Sequence, residues 1–302
     1  MRLGLQVMRF DWPGGPPVLG RRLRDIAVQA DRAGFGSLWV MDHFFQMGGR
    51  FGPAEDPMLE GYATLGYLAA VTDRIRLGTL VTGALYRNPG LVAKTVSTLD
   101  VPSEGRMYAG IGTGWYEREA RGLGFGFPSV AEPFARLEES LQVLAQIWAG
   151  DRSPFLGEYY RLEEPIDSPA PLQRPRPPIM VGGGGERRTL RLVAAYADAC
   201  NLYAGGGGEE YADQVTEVQH KLQVLRRHCE EVGRPYECIE RTALASVHLT
   251  RDRASVMPVL RLCEGLAAAG IQHLILNMPN LHELWPVDLL ASEVLPTVRG
   301  LA

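Results

Sequence analysis

Short apolar runs alternate along the chain with longer stretches in which apolar residues recur every three or four positions. That is the pattern of strands followed by helices around a parallel sheet. Residues 3–8 predict a first strand, and 18–33 a helix stopped by Gly34. Strands follow at 37–41, 76–81 and 106–111, with helices at 58–72, from Asn88-Pro89 to about 99, and at 132–148. Asn88 reads as an N-cap with proline at the first helical position. The second half predicts strands at 178–181, 199–202, 240–247 and 273–276, with helices at 186–197 and 209–232 and after each of the last two strands.

Eight strands in alternation with helices is the number that an α/β fold of the closed (β/α)8, or TIM barrel, type requires. A chain of 302 residues suits one such barrel, which typically takes about 250 residues and grows by loop insertion. The rhythm breaks at 150–178, where seven prolines and no helical period mark a proline-rich insertion before the fifth strand. The whole chain, 1–302, is therefore expected to form a single domain.

Composition narrows the function. A net charge of −4 with interspersed signs argues against nucleic acid or an anionic membrane as the main partner, since both call for a basic patch. The polar start of the chain leads to the expectation of no signal peptide, and no run is long enough to span a membrane as a helix. Cys200, Cys229, Cys238 and Cys263 show neither CxxC nor metal-ligand spacing, so free thiols in a cytoplasmic protein and no metal are expected. Neither a zinc-protease pattern nor a nucleophile elbow occurs, which favours cofactor chemistry on a small-molecule substrate over hydrolysis.

In a (β/α)8 barrel the chemistry belongs at the C-terminal strand ends, and four of these stand out. The second strand runs into Met41-Asp42-His43-Phe44-Phe45, a carboxylate beside an imidazole, suited to proton transfer near neutral pH. A turn cap at Asp42 and a structural His43 are the alternative. The third strand ends in Gly78-Thr79-Leu80-Val81-Thr82-Gly83, small enough for close approach of a planar ligand or for an ordinary glycine turn. The fourth ends in Gly110-Ile111-Gly112-Thr113-Gly114-Trp115, which is neither a dinucleotide fingerprint nor a P-loop. The fifth opens into Gly182-Gly183-Gly184-Gly185-Glu186-Arg187-Arg188, where bare amides before a helix form an anion site. The second glycine run, 205–208, leads into Glu209 and Glu210, which repel a phosphate.

Taken together and in this order, these segments resemble the bacterial-luciferase-like family, and within it the branch dependent on the deazaflavin coenzyme F420. Met41-Asp42-His43-Phe44, Leu77-Gly78-Thr79, Arg87-Asn88-Pro89, Gly110 to Trp115 and the run from Gly157-Glu158-Tyr159-Tyr160 into Val181-Gly182 carry the likeness. The resemblance implies a homodimeric oxidoreductase in which Asp42 and His43 face the deazaflavin and His43 gives or takes a proton. It further implies that Leu80-Val81 forms a bulge, often a non-proline cis peptide, behind the ring. By the same resemblance Thr113 and Gly114 would border the ring, the amides of Gly182, Gly183 and Gly184 would hold the phosphate, and Cys200 and Asn201 would complete that side. One departure is Trp115, which stands where the sugar-phosphate dehydrogenases of this branch carry a glutamate; hexose-phosphate oxidation is therefore not expected. Two alternatives stay open: an FMN-dependent monooxygenase, whose phosphate the glycine run serves as well, and a non-catalytic flavin- or deazaflavin-binding protein.

Overall fold

The computed structural model of the chain describes residues 1–128, 132–206, 211–252 and 254–301. Its first half contains β1 (Arg2–Val7), α1 (Pro16–Ala33), β2 (Ser37–Val40), α2 (Gly61–Val71), β3 (Arg76–Thr79) and β4 (Thr82–Gly83). Next come α3 (Pro89–Asp100), β5 (Ala109–Gly112), α4 (Glu117–Gly122) and α5 (Glu132–Trp148), then the hairpin β6 (Phe155–Leu156) and β7 (Arg161–Leu162). The second half contains β8 (Ile179–Gly182), α6 (Thr189–Tyr196), β9 (Ala199–Gly206), α7 (Tyr211–Val232), β10 (Glu240–Ser246), α8 (Val256–Ala269) and β11 (His273–Asn277). Short helical turns complete the chain to Arg299.

The large sheet runs β3-β2-β1-β11-β10-β9-β8-β5-β4, and its pairs are all parallel. Its two ends are halves of one strand. β3 pairs with β2, β4 pairs with β5, and Leu77 bridges in parallel to Met107 just ahead of β5. Counted this way, eight strands close a (β/α)8 barrel, as the alternation of patterns predicts. Trp39, Tyr108, Met180, Ala199 and Ile275 pack across its middle. A larger apolar core fills the space between strands and helices. No helix among the described residues is long and apolar enough to cross a membrane.

The local signals work as their chemistry demands. Gly34 takes the left-handed conformation, φ 85°, and its N–H caps the end of α1. Asn88 accepts from the amide of Gly90, and Pro89 opens α3. Three differences from the expected elements have physical causes. The third strand is broken at Leu80–Val81. The fourth begins at Ala109 rather than 106, because Arg106 turns its guanidinium onto the carbonyls of Ala69, Thr72 and Ile75, at the end of α2 and just beyond it. A short helix, α4, follows the fourth strand where none is expected. The helix expected from 209 is α7, described from Tyr211; Glu209, Glu210 and the end of the second glycine run lie outside the described residues.

The proline-rich insertion is pinned at two buried or half-buried carboxylates. Glu139 on α5 accepts from the amides of Glu158, Tyr159 and Tyr160 at 2.7–2.9 Å. Asp100, at the end of α3, accepts from the amides of Leu172 and Gln173 at 2.8 and 3.0 Å. A segment without helical period is thus held by charge-assisted bonds to backbone.

Candidate active site

The break in the third strand builds the floor of the barrel mouth. The peptide between Leu80 and Val81 is cis, as the resemblance implied. Gln6 donates to the Leu80 carbonyl at 3.2 Å, while Thr79 and Thr82 share a hydroxyl contact at 2.8 Å and Thr79 donates to the Gly110 carbonyl. Val81 then reaches across toward the neighbouring strands. A Cβ added at Gly112 or Gly182 would lie 2.9 Å from a Val81 methyl, and one at Gly110 only 1.9 Å from the Thr79 carbonyl oxygen. Three glycines of the strand-end motifs are therefore required by the bulge itself.

Asp42 and His43 leave β2 in different directions, as neighbours on an extended chain do. Asp42 is buried and held by Arg87 in a fork, Nε to Oδ2 at 2.8 Å and Nη2 to Oδ1 at 2.6 Å. Glu60 takes the same guanidinium from outside. Burial raises the Asp42 carboxyl above the usual carboxylate range against the pull of Arg87. Arg87 itself is raised by the two carboxylates in spite of its burial. The arrangement is a guanidinium–carboxylate ion pair, and the Asp42 oxygens point at Arg87 and not at His43.

His43 has a different partner. Its Nδ1 lies 2.9 Å from Oε1 of Glu119, on α4, and the other oxygen of Glu119 accepts from the amides of Phe44 and, at 3.0 Å, Phe45. Glu119 is fully buried. Burial would push its carboxyl up, but the hydrogen bond from His43 and those from the two amides outweigh it and hold it below the usual range. A carboxylate can only accept, so Nδ1 carries the proton in this contact and Nε2 is left with no hydrogen-bond partner among the described residues. Trp115 stands edge-on to the imidazole, centroids 5.7 Å apart, and Tyr116 does the same at 6.2 Å.

Across the mouth, Gln6, Asn277 and Ser246 pair in register on β1, β11 and β10. By strand alternation they share the interior face with Ile275. Asn277 donates to Gln6 at 3.1 Å, yet its Oδ1 and the Ser246 hydroxyl are buried with no partner among the described residues. Asn201 also faces inward and donates to Thr242 at 2.8 Å. Cys200 does not. It sits in the apolar core behind the sheet, its thiol pushed up to about 12 by burial, because adjacent strand residues cannot share a face. The expected ligand contact from its side chain is therefore withdrawn.

The glycine run after β8 divides likewise. Gly182 lies within β8, and the Gly183 amide donates to the Asn201 carbonyl at 3.0 Å, so that amide is not available to an anion. Gly184 and Gly185 instead line a 420 Å³ groove with Arg187, Arg188 and Lys221 at the start of α6. The Lys221 stem passes 3.8 Å from where a Gly184 Cβ would be, and its ammonium reaches Glu186 at 2.7 Å. Thr113 and Gly114 follow β5, and Gly114, at φ +78°, packs beside Gly83 and Leu85.

Sequence reading alone assigned no role at the site to Glu119, Arg87, Gln6, Asn277 or Lys221. The only signals were weak ones: a carboxylate four residues after Trp115, and an arginine just ahead of a helix cap.

A family model described as luciferase-like monooxygenase matches residues 6–283. Among curated proteins, the F420-dependent glucose-6-phosphate dehydrogenase of Nakamurella multipartita is 32% identical over 94% of this chain and 82% of its own length. The same-named protein of Kineococcus radiotolerans is 32% identical over 90% of this chain and 78% of its own. Among solved structures, an F420-dependent secondary alcohol dehydrogenase with an F420–acetone adduct superposes with a TM-score of 0.81 at 18% identity, covering 99% of both chains. The F420-dependent tetrahydromethanopterin reductase of Methanopyrus kandleri gives 0.79 at 16% identity, over 98% of this chain and 99% of its own. At such identities these two likenesses establish the barrel fold.

Proposed function

Because the chain belongs to the luciferase-like monooxygenase family, we propose that it is an oxidoreductase moving a hydride between coenzyme F420 and a small organic substrate, with His43 handling the accompanying proton. The observation that carries this is the Glu119–His43 contact, which fixes the imidazole and leaves Nε2 without a hydrogen-bond partner among the described residues. The F420-dependent relatives support the coenzyme.

The residues fit such a group. Among the described residues Asn277 Oδ1 and the Ser246 hydroxyl have no partner, and they suit the N–H and carbonyl edge of a deazaflavin ring. The Leu80–Val81 bulge backs that space, with Thr113, Gly114 and Asn201 at its border. Gly184, Gly185 and Arg187 would take the phosphate, through amides at a helix start and one guanidinium, beside Lys221 in its pair with Glu186. Bound there, the coenzyme supplies a ring carbon that accepts or returns a hydride.

His43 and its neighbours supply the rest. When an alcohol carbon surrenders its hydride, with both bonding electrons, the hydroxyl proton passes to Nε2 of His43 and a carbonyl remains. The reverse reaction draws the proton from the same atom. Glu119 keeps the imidazole in place throughout, and Asp42 holds Arg87 against the wall beneath Phe44 and Tyr62. The reading includes a cytoplasmic homodimer. Cysteines that are all free suit a reducing compartment, and the exposed Tyr67 and Leu91 on α2 and α3 suit a subunit contact.

Titration of the purified protein with F420 and, separately, with FMN tests the assignment. Saturable F420 binding with weak or absent FMN binding is expected; tight FMN binding without F420 binding reverses it in favour of an FMN-dependent monooxygenase.

A further inference from the structure

The charged groups around His43 are already engaged. Arg87 is held by Asp42 and Glu60 and covered by the rings of Tyr62 and Phe44 at 4.7 and 5.7 Å. Glu119 accepts from His43 and from two amides and has no exposed surface. On α4 the two arginines, Arg118 and Arg121, pair with Glu55 and Glu117. An anion arriving beside His43 therefore meets no unpaired cation among these side chains.

Aromatic surface is what the mouth offers instead. Trp115 packs edge-on to His43 and lies 5.3 Å from Tyr116, yet 60% of it is exposed. Phe44, Tyr86 and Phe125 form a second cluster, centroids 5.2–5.9 Å apart, and Phe125 and Leu123 are 39% and 45% exposed. Large apolar side chains left open beside a fixed proton carrier mark a surface that a ligand covers.

We infer that the substrate is an uncharged molecule bearing an aromatic or alicyclic ring that packs on Trp115, and not a phosphorylated sugar. The inference rests on the hydride-transfer reading above and names the substrate class of that same site. Trp115 contributes contact area and ring edges, which discriminate by shape and polarity. The immediate neighbours of His43 offer an anion no compensation for its lost hydration.

Calorimetric titration of the F420-loaded enzyme with acetophenone and with glucose 6-phosphate tests this. Acetophenone is expected to bind at least about tenfold more tightly. Trp115→Glu should weaken acetophenone by about tenfold, while Trp115→Phe, which keeps a ring, stays within about threefold. Circular dichroism verifies that both variants fold. Glucose 6-phosphate binding as tightly as acetophenone, absence of binding by either, or an acetophenone affinity indifferent to Trp115→Glu overturns the inference. F420 loading is read independently from its own absorbance. Failure to load refutes the hydride-transfer reading, and the same pair of ligands on the unloaded chain still decides the inference.

Discussion

A neutral imidazole keeps its proton on one of two nitrogens, and the carboxylate at Glu119 selects Nδ1 for His43. Removing the ring and loosening it should therefore have different signatures. His43→Ala is expected to lower turnover by about 10²–10⁴-fold while F420 affinity changes little; equal loss of both would show that His43 serves binding. Glu119→Gln keeps the shape but substitutes a group that can donate as well as accept. Turnover should drop by roughly ten- to hundredfold, and ¹⁵N-edited spectra of His43 should show Nε2–H appearing beside Nδ1–H. Spectra unchanged from the parent enzyme would remove Glu119 from its positioning role. The Asp42-His43 pair was legible in the sequence because both residues sit at one strand end. Their partners were not, since Arg87 and Glu119 lie 45 and 76 positions away and come near only through the fold. Trp115 is followed by Glu117 and Glu119, two positions apart and so on opposite sides of a helix. Glu117 pairs outward with Arg121 and Glu119 turns inward, but only a known helix phase separates them, and α4 was too short and polar to predict.

Among the elements, the strand–helix alternation was readable because each βα unit carries its own period and its own stops. Gly34 and the Asn88-Pro89 pair placed helix ends that the structure retains. The division of the third strand was not in the apolar pattern, which runs through Leu80 and Val81 without interruption; it came only from the resemblance. Its consequence is a set of neighbours that must stay small. The test is Gly110→Ala, whose Cβ would lie 1.9 Å from the carbonyl oxygen of Thr79, an atom that cannot swing aside as a side-chain tip can. A loss of about 1–3 kcal/mol is expected from the forced backbone shift, read as a lower urea midpoint, together with weaker F420 binding because the bulge moves. Gly20→Ala, at a helix position where an added Cβ meets nothing within 4 Å, provides the control and should be neutral or slightly stabilising. If Gly110→Ala matches that control in both measurements, the bulge is not what dictates the glycine. The glycine loop after β8 was legible as a candidate anion site by composition, yet which amides are free depended on the β8–β9 ladder, and that pairing consumes Gly183.

At the scale of the whole barrel, the proposed site occupies one end and a buried polar cluster the other. The end opposite the site is closed by a polar plug in which Glu240 at the start of β10 accepts from Tyr108 at 2.7 Å, contacts His273 Nδ1 at 3.1 Å and pairs with Arg2. His273 Nε2 meets the Ser37 hydroxyl at 2.9 Å, and Ser37 accepts from Trp39. A neutral His273 satisfies both contacts, donating to Glu240 and accepting from Ser37. Burial holds its pKa below the ordinary 6.5 despite Glu240. Burial alone would raise Glu240, but the hydrogen bond from His273, the charge of Arg2 and the Tyr108 hydroxyl hold it below its ordinary 4.5. Both shifts act in one direction. Below pH 6.5 the unfolded chain takes up a proton that buried His273 refuses, and below 4.5 it takes up another that Glu240 refuses. Stability from this plug is therefore complete above pH 6.5 and falls in two stages on acidification. Urea midpoints measured from pH 8 to 3 should show the decline, and Glu240→Gln should start lower at neutral pH and lose the steeper fall below 4.5. Because Glu240 lies at the far end from His43, turnover per folded molecule at neutral pH should stay within about twofold of the parent. An acid limb unchanged in Glu240→Gln would place the titrating groups elsewhere in the barrel. A loss of turnover without loss of stability would mean that the two ends are coupled through the strands that join them.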